Sequence, residues 1–172
     1  LLRNNKNEIT ESPSAMFERV AILIGIGDLL CDGRIFNNSG NIQQDVTEAE
    51  EYLTKLDQFN YKFKIGNYYL NQYHFRGLVN GYIEIANRGK AKIGFKNLLT
   101  QLAAKKFEDY ETKITEYLNL MKSQTFLPNS PTMMNAGGRL GQLSACFVLG
   151  MPDDMAGIMK TTSDAALIFK SG

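Results

Sequence analysis

The chain has 172 residues, of which 44% are apolar and 22% charged, with 15 glycines, 4 prolines and a formal net charge of +1. This profile fits a globular chain with one core and excludes collagenous, low-complexity and wholly disordered classes. The longest apolar run, Val20 to Gly27, stops at Asp28, far short of the roughly 18–20 residues of a membrane-spanning helix.

The sequence begins at Leu1 rather than at a methionine and lacks the basic-then-apolar order of a secretory signal, so Leu1 is not expected to be the natural start. Two cysteines, Cys31 and Cys146, and the single His74 are too few for a disulfide framework or a zinc site. No metal is expected, and a reducing cytoplasm is the default compartment. Charge is uneven along the chain. Residues 1–59 carry 5 basic and 10 acidic side chains, residues 60–96 carry 7 against 1, and residues 97–172 balance at 7 and 7. The middle stretch is also rich in Tyr and Phe, which suggests boundaries near 60 and 96.

Ser12-Pro13 followed by Met16, Phe17, Val20, Ala21 and Ile24 predicts a capped helix over about Pro13 to Leu30. Thr47 with Glu50 three residues later has the form of a capping box, opening a short acidic helix through about Gln58. From Tyr61 the period changes to two, with Tyr61, Phe63 and Ile65 alternating with lysines, as Ala91 and Ile93 do further on. Asn80-Gly81 and Asn87-Arg88-Gly89-Lys90 read as hairpin turns between these runs, which makes 60–93 a small antiparallel meander. Helices are expected over about Phe95 to Lys105 and along the Phe107, Tyr110, Ile114, Tyr117, Leu118 and Met121 face. A loop from Phe126 to Gly141, a buried strand from Leu143 to Leu149, a turn and a last helix through Ile158, Thr162, Ala165 and Phe169 follow.

The loop offers Asn129, Ser130, Thr132 and Asn135 as hydrogen-bonding groups suited to a phosphate or ribose, although such residues also make ordinary connections. Cys146, between Ala145 and Phe147, reads either as a small buried hydrophobe or as a reactive thiol beside a polar loop and a turn with two carboxylates.

The order Leu127-Pro-Asn-Ser-Pro-Thr132, Asn135-Ala-Gly137, Ser144-Ala-Cys146, Asp153-Asp154 and a helix into Lys170-Ser-Gly172 resembles the adenosylcobalamin-dependent ribonucleotide reductases. The likeness covers about 126–172 and extends more weakly to the Phe107–Lys122 face and to Glu11–Ala21. It implies an enzyme that converts ribonucleoside di- or triphosphates to deoxyribonucleotides. Cys146 matches one member of the cysteine pair oxidised to a disulfide as the ribose is reduced. Ser130, Ala145, Cys146 and Gly172 match substrate-contacting positions, and Asp153, Asp154 and Met155 match the start of an effector site. Cys31 matches nothing and reads as structural.

The implied fold is α+β: a helical region over 1–59, an inserted basic aromatic β meander over 60–96, and over 97–172 helices leading into the first strand and helix of an incomplete α/β barrel. The family pattern continues past Gly172, so the chain is expected to be an N-terminal portion, inactive alone. Its adenosylcobalamin would be bound mainly by parts outside it. Implied partners are a ribonucleotide, a deoxynucleotide or ATP effector, a thioredoxin-like or dithiol reductant and the remaining reductase, with a homodimer as one option and no membrane. The family does not account for the 60–96 stretch. That stretch reads as an accessory core or, in the alternative reading of the whole chain, as a surface that binds single-stranded nucleic acid or another partner.

Overall fold

The computed structural model describes residues 1–58, 63–144 and 146–171. Helix α1 spans Pro13–Leu30, as its sequence signals require: Ser12 Oγ accepts the Ala15 N–H at 3.2 Å and Pro13 occupies the first turn. Val20, Ala21, Ile22, Ile26, Leu29 and Leu30 are all buried, so most of the circumference of α1 is packed and only a narrow strip around Glu18 and Gly27 meets solvent. Around it lie α2 (Thr47–Thr54), a two-residue hairpin of β1 (Lys64–Ile65) and β2 (Tyr68–Tyr69), α3 (Gln72–Asn87), α4 (Phe95–Ala103) and α5 (Tyr110–Lys122). Two further helices, α6 (Ser130–Asn135) and α7 (Met155–Ser171), complete the order. The hairpin is antiparallel, pairing Lys64 with Tyr69 and Ile65 with Tyr68.

Helices α3 and α5 both pack on α1, and glycines set the spacing. A Cβ at Gly25 would sit 2.4 Å from Ile114 Cγ1 of α5. On α3, Cβ atoms at Gly77 and Gly81 would lie 2.7 and 2.4 Å from the Cδ1 atoms of Leu23 and Leu30. The missing side chains let both neighbours approach α1 closely, and Ile114, Leu23 and Leu30 fill the space instead.

This packing corrects the expected meander over 60–93. Asn80-Gly81 lies inside α3, where the glycine serves close helix packing and not a positive φ. Phe75, Leu78, Val79, Tyr82 and Ala86 are buried at helical spacing along the same element. The second turn signal ends that helix. Gly89 has φ +68°, its N–H donates to Ala86 O at 2.8 Å and the Lys90 N–H to Ile85 O at 2.8 Å, the pattern of a Schellman cap. Of the alternating pattern, the hairpin pairing at 64–69 and a single antiparallel bridge between Ala91 and Phe36 remain among the described residues; Tyr61 lies outside them. The expected capping box at Thr47 also fails, because Asp45 Oδ1 takes the Thr47 N–H at 2.9 Å and its hydroxyl at 2.6 Å. Helix α2 ends at Thr54, and Leu56–Gln58 follow as a 3-10 turn.

Tyr52, Phe63, Phe75, Tyr82 and Phe95 form one ring cluster, with Phe63 stacked on Phe75 at 5.6 Å and Tyr82 tilted on Phe95 at 5.0 Å. Buried side chains from 20–49, 65–95 and 98–136 belong to one cluster. Polar ties close the far end of α1. Tyr117 donates to the Asp28 carboxylate, Tyr110 donates to Asp32 Oδ2 at 2.7 Å, and Arg34 bridges Asp32 and Asp109 at 2.8 Å each. The Arg34 bonds hold the Asp32 carboxyl well below the usual range, while the Asp28 bond and burial push the Tyr117 phenol up to about 12.

Two glycines of α1 should respond oppositely to alanine. Nothing lies within 4 Å of a Cβ at Gly27, so Gly27→Ala should stabilise by up to about 1 kcal/mol through helix propensity. Gly25→Ala should destabilise by about 1–3 kcal/mol through overpacking against Ile114, and Ile114→Ala in the same chain should remove that penalty. Urea unfolding of the variants checks both signs.

Candidate functional site

The residues singled out from the sequence lie on and after α6. Asn129 caps that helix, its Oδ1 accepting the Thr132 N–H at 3.3 Å, and Pro131 sits in the first turn, so the Asn-Ser-Pro-Thr run is a helix start and not an open loop. Ser130 is the first residue of α6 and is exposed. Three side chains of this short helix then reach the returning chain. Asn129 Nδ2 and Thr132 Oγ1 donate to Leu143 O at 3.3 and 3.2 Å, and Asn135 Nδ2 donates to Gln142 O at 2.7 Å. The two residues that flank the Ser130-Pro131 dipeptide thus hold a carbonyl three positions before Cys146.

Cys146 is a free, exposed thiol. The expected buried strand over Leu143–Leu149 does not form: no residue described there pairs in a ladder, and Phe147, Val148 and Leu149 are exposed. A strand needs a neighbour for its N–H and C=O groups, and none of the described residues offers one. The barrel strand expected from the resemblance is therefore not part of this structure. Ala145 and Gly172 lie outside the described residues. Cys31, the C-cap residue of α1, is exposed as well.

Asp153, Asp154 and Met155 sit together at the start of α7, all exposed. Asp154 Oδ1 accepts the Gly157 N–H at 2.8 Å, so that carboxylate is engaged as a helix cap.

A buried polar group anchors the far end of α6, and sequence reasoning missed it. Arg19, 6% exposed, meets Glu11 through Nε at 3.0 Å and Nη2 at 2.7 Å, donates through Nη1 to Ala136 O and reaches Met133 O at 3.3 Å. Burial opposes the charge on Glu11, but bonds from Arg19 and the Leu2 N–H outweigh it and keep the carboxyl below its ordinary value. His74, 2% exposed, stands beside this pair. Its Nδ1 accepts the Asn71 N–H at 3.1 Å, so the proton is on Nε2, which donates to Arg19 O at 2.8 Å. Asn71 in turn accepts the His74 N–H at 2.8 Å, completing a reciprocal cap on α3. The Asn71-x-x-His74 spacing was the available signal, hidden by the strand reading of that stretch.

Residues 85–141 match the family described as "Ribonucleotide reductase, all-alpha domain". Over 176 aligned positions covering the whole chain, the sequence is 34% identical to a vitamin B12-dependent ribonucleoside-diphosphate reductase of Thermoplasma acidophilum, of which it covers 20%. A B12-dependent ribonucleoside-diphosphate reductase of Mycobacterium tuberculosis is 43% identical over 56 residues, 33% of this chain and 8% of the relative. The large subunit of the Arabidopsis thaliana ribonucleoside-diphosphate reductase is 26% identical over 99% of this chain and 20% of its own length. The chain thus spans about a fifth of the relatives it matches from end to end, and these alignments include 60–96. No solved structure matches.

His74 gives the structure a pH dependence. Burial lowers its pKa from 6.5 to about 4, so the unfolded chain binds a proton in this window that the folded one does not. Stability should be full above about pH 6.5 and fall as pH drops toward 4, by an order of 3 kcal/mol in all. Urea titrations at pH 7 and pH 4.5 measure the loss. His74→Gln, which retains an acceptor for the cap, should flatten the dependence in that window.

Proposed function

We propose, from the premise that this chain belongs to the ribonucleotide reductase family, that it forms the N-terminal helical part of a B12-dependent enzyme reducing ribonucleoside diphosphates. Within that enzyme Cys146 acts as one of two reducing thiols, and Ser130 contacts the nucleotide. The observation that supports this reading is the exposed Cys146 thiol, three residues after the Leu143 carbonyl that Asn129 and Thr132, on either side of Ser130-Pro131, both hold. On this reading the hydroxyl of Ser130 and the thiol of Cys146 serve the same nucleotide.

The chemistry needs two electrons. A radical formed on a cysteine elsewhere in the enzyme removes the 3′ hydrogen, the 2′ hydroxyl leaves as water, and Cys146 with a second thiol supplies two electrons and becomes a disulfide. The 3′ hydrogen then returns, so ribonucleotide and dithiol give deoxyribonucleotide, disulfide and water. A dithiol or thioredoxin-like reductant restores the pair. Cobalamin would supply the radical, but the described residues do not fit it. His74, the sole histidine, is buried with both ring nitrogens engaged, and no three His, Cys, Asp or Glu side chains converge among the described residues. Its site belongs to other parts of the enzyme.

Asp153 is the effector candidate, because its neighbour Asp154 is committed to capping α7. The nucleic-acid alternative keeps only part of its aromatic surface: Phe75, Tyr82 and Phe95 are buried in the core, whereas Tyr69 is exposed beside Lys64.

In the complete reductase, Cys146→Ser should abolish turnover supported by a dithiol while nucleotide affinity stays within a few-fold; normal turnover would remove Cys146 from the mechanism. Asp153→Ala should weaken effector binding by about 1–3 kcal/mol, the cost of a lost hydrogen bond to a charged group. Calorimetric titration with the effector measures it, and unchanged affinity would assign the turn another role.

A further inference from the structure

The 60–96 stretch has no part in the chemistry above, yet its helix grips the turn that follows α6. Four successive carbonyls there each accept a hydrogen bond from a side chain of another element. Ala136 O accepts from Arg19 of α1, Gly137 O from Asn71 Nδ2 at 3.0 Å, and Gly138 O and Arg139 O from Arg76 Nη2 at 3.1 and 2.7 Å. Two of the three donors, Asn71 and Arg76, come from α3 and its cap. Carbonyls of irregular turns ordinarily go to water or to local N–H groups. This turn is instead shaped from outside.

The surroundings are built for that grip. The Arg76 guanidinium lies over the Tyr73 ring, 5.3 Å from its centroid, which fixes the plane from which it donates. Gly137, at φ +65°, passes so close to His74 that a Cβ would fall 2.4 Å from its Nε2. Gly141, at φ +71°, would place a Cβ 2.9 Å from Arg76 Nη2. Both glycines let main chain run directly against the clamping side chains.

We infer that α3 is a positioning element for the reductase site, with Asn71 and Arg76 fixing the 136–139 turn. From there the bonds of Asn135 to Gln142 O and of Thr132 to Leu143 O fix the approach to Cys146. The inference rests on the proposed role of Ser130 and Cys146. Its physical basis is that a thiol and a nucleotide contact must hold their geometry against one ribose, where an error of about 1 Å costs on the order of a hundredfold in rate. Arg76 is a positioning residue: it acts through main-chain carbonyls and not on the substrate.

The test uses the complete reductase carrying Arg76→Met or Arg76→Lys, with Cys146→Ser as reference. Arg76 is half-buried at the edge of α3, so neither change opens the core. For Arg76→Met, kcat should fall by roughly tenfold to a hundredfold and KM for the nucleotide should rise several-fold. Arg76→Lys, which keeps a charged donor, should recover part of both. Amide hydrogen exchange should rise over 137–149 and stay unchanged in α1 and α5. Unchanged kinetics and exchange in Arg76→Met would overturn the inference. So would exchange rising equally in α1 and α5 with KM unmoved and no rescue by lysine, the signature of ordinary destabilisation. If Cys146→Ser turns over normally, the proposed site falls, and the exchange result alone then decides whether α3 holds the segment.

Discussion

Everything around the candidate site depends on a guanidinium buried in the middle of the molecule. A charged group in that position costs several kcal/mol unless its donors are satisfied, and Arg19 is satisfied by Glu11 together with the carbonyls of Met133 and Ala136. These partners come from two places that no local rule brings to the central helix, the N-terminal arm and the end of α6. Glu11 also takes the Leu2 N–H at 2.7 Å, which folds the first residues back onto the same point. Losing Arg19 would leave a buried carboxylate and remove the donors that tie both the arm and the end of α6 to α1, so one electrostatic requirement helps to set where the site begins.

The close approach of α3 makes this arrangement possible. Gly77 and Gly81 admit Leu23 and Leu30, and that contact brings Asn71, His74 and Arg76 to the level of the 136–139 turn. His74 then has two duties: it caps α3 through Nδ1 and ties α1 to it through Nε2. Burial keeps the ring neutral at physiological pH, and only the neutral ring can accept at one nitrogen while donating at the other.

Sequence signals recovered what is local and misread what is not. Ser12-Pro13 and an unbroken apolar pattern gave α1 with its observed ends, and α4 and α7 followed from spacing. Asn80-Gly81 misled, because glycine before an unseen partner helix and glycine in a hairpin turn are the same letter; only the contact with Leu30 separates them. The buried phenylalanines and tyrosines of that stretch fit alternation over short windows and helical spacing over long ones. The Leu143–Leu149 strand failed for a similar reason, since a ladder depends on a partner that the segment itself does not encode. Its loop was legible in another way: irregular runs such as Asn129-Ser-Pro-Thr and Asn135-Ala-Gly carry family identity even where their conformation is not read. The clamp was invisible, as its acceptors are main-chain carbonyls and its donors lie some 60 or more positions away.

A mechanical contrast runs through the chain. Up to Ala136 most apolar side chains feed one buried cluster, whereas beyond it Leu140, Phe147, Val148, Met151, Met155, Met159, Leu167 and Phe169 are exposed. So much apolar surface in one continuous stretch is unusual for a free surface and is typical of one that meets another protein face. In the proposed enzyme the remaining reductase would lie against it, and Cys146 falls within this exposed stretch. A thiol that must meet a nucleotide, a second thiol and an external reductant in turn is well placed there. On the proposed reading the clamped turn before it would supply precision, and the exposed apolar segment after it would leave the contacts that complete the site to the rest of the enzyme.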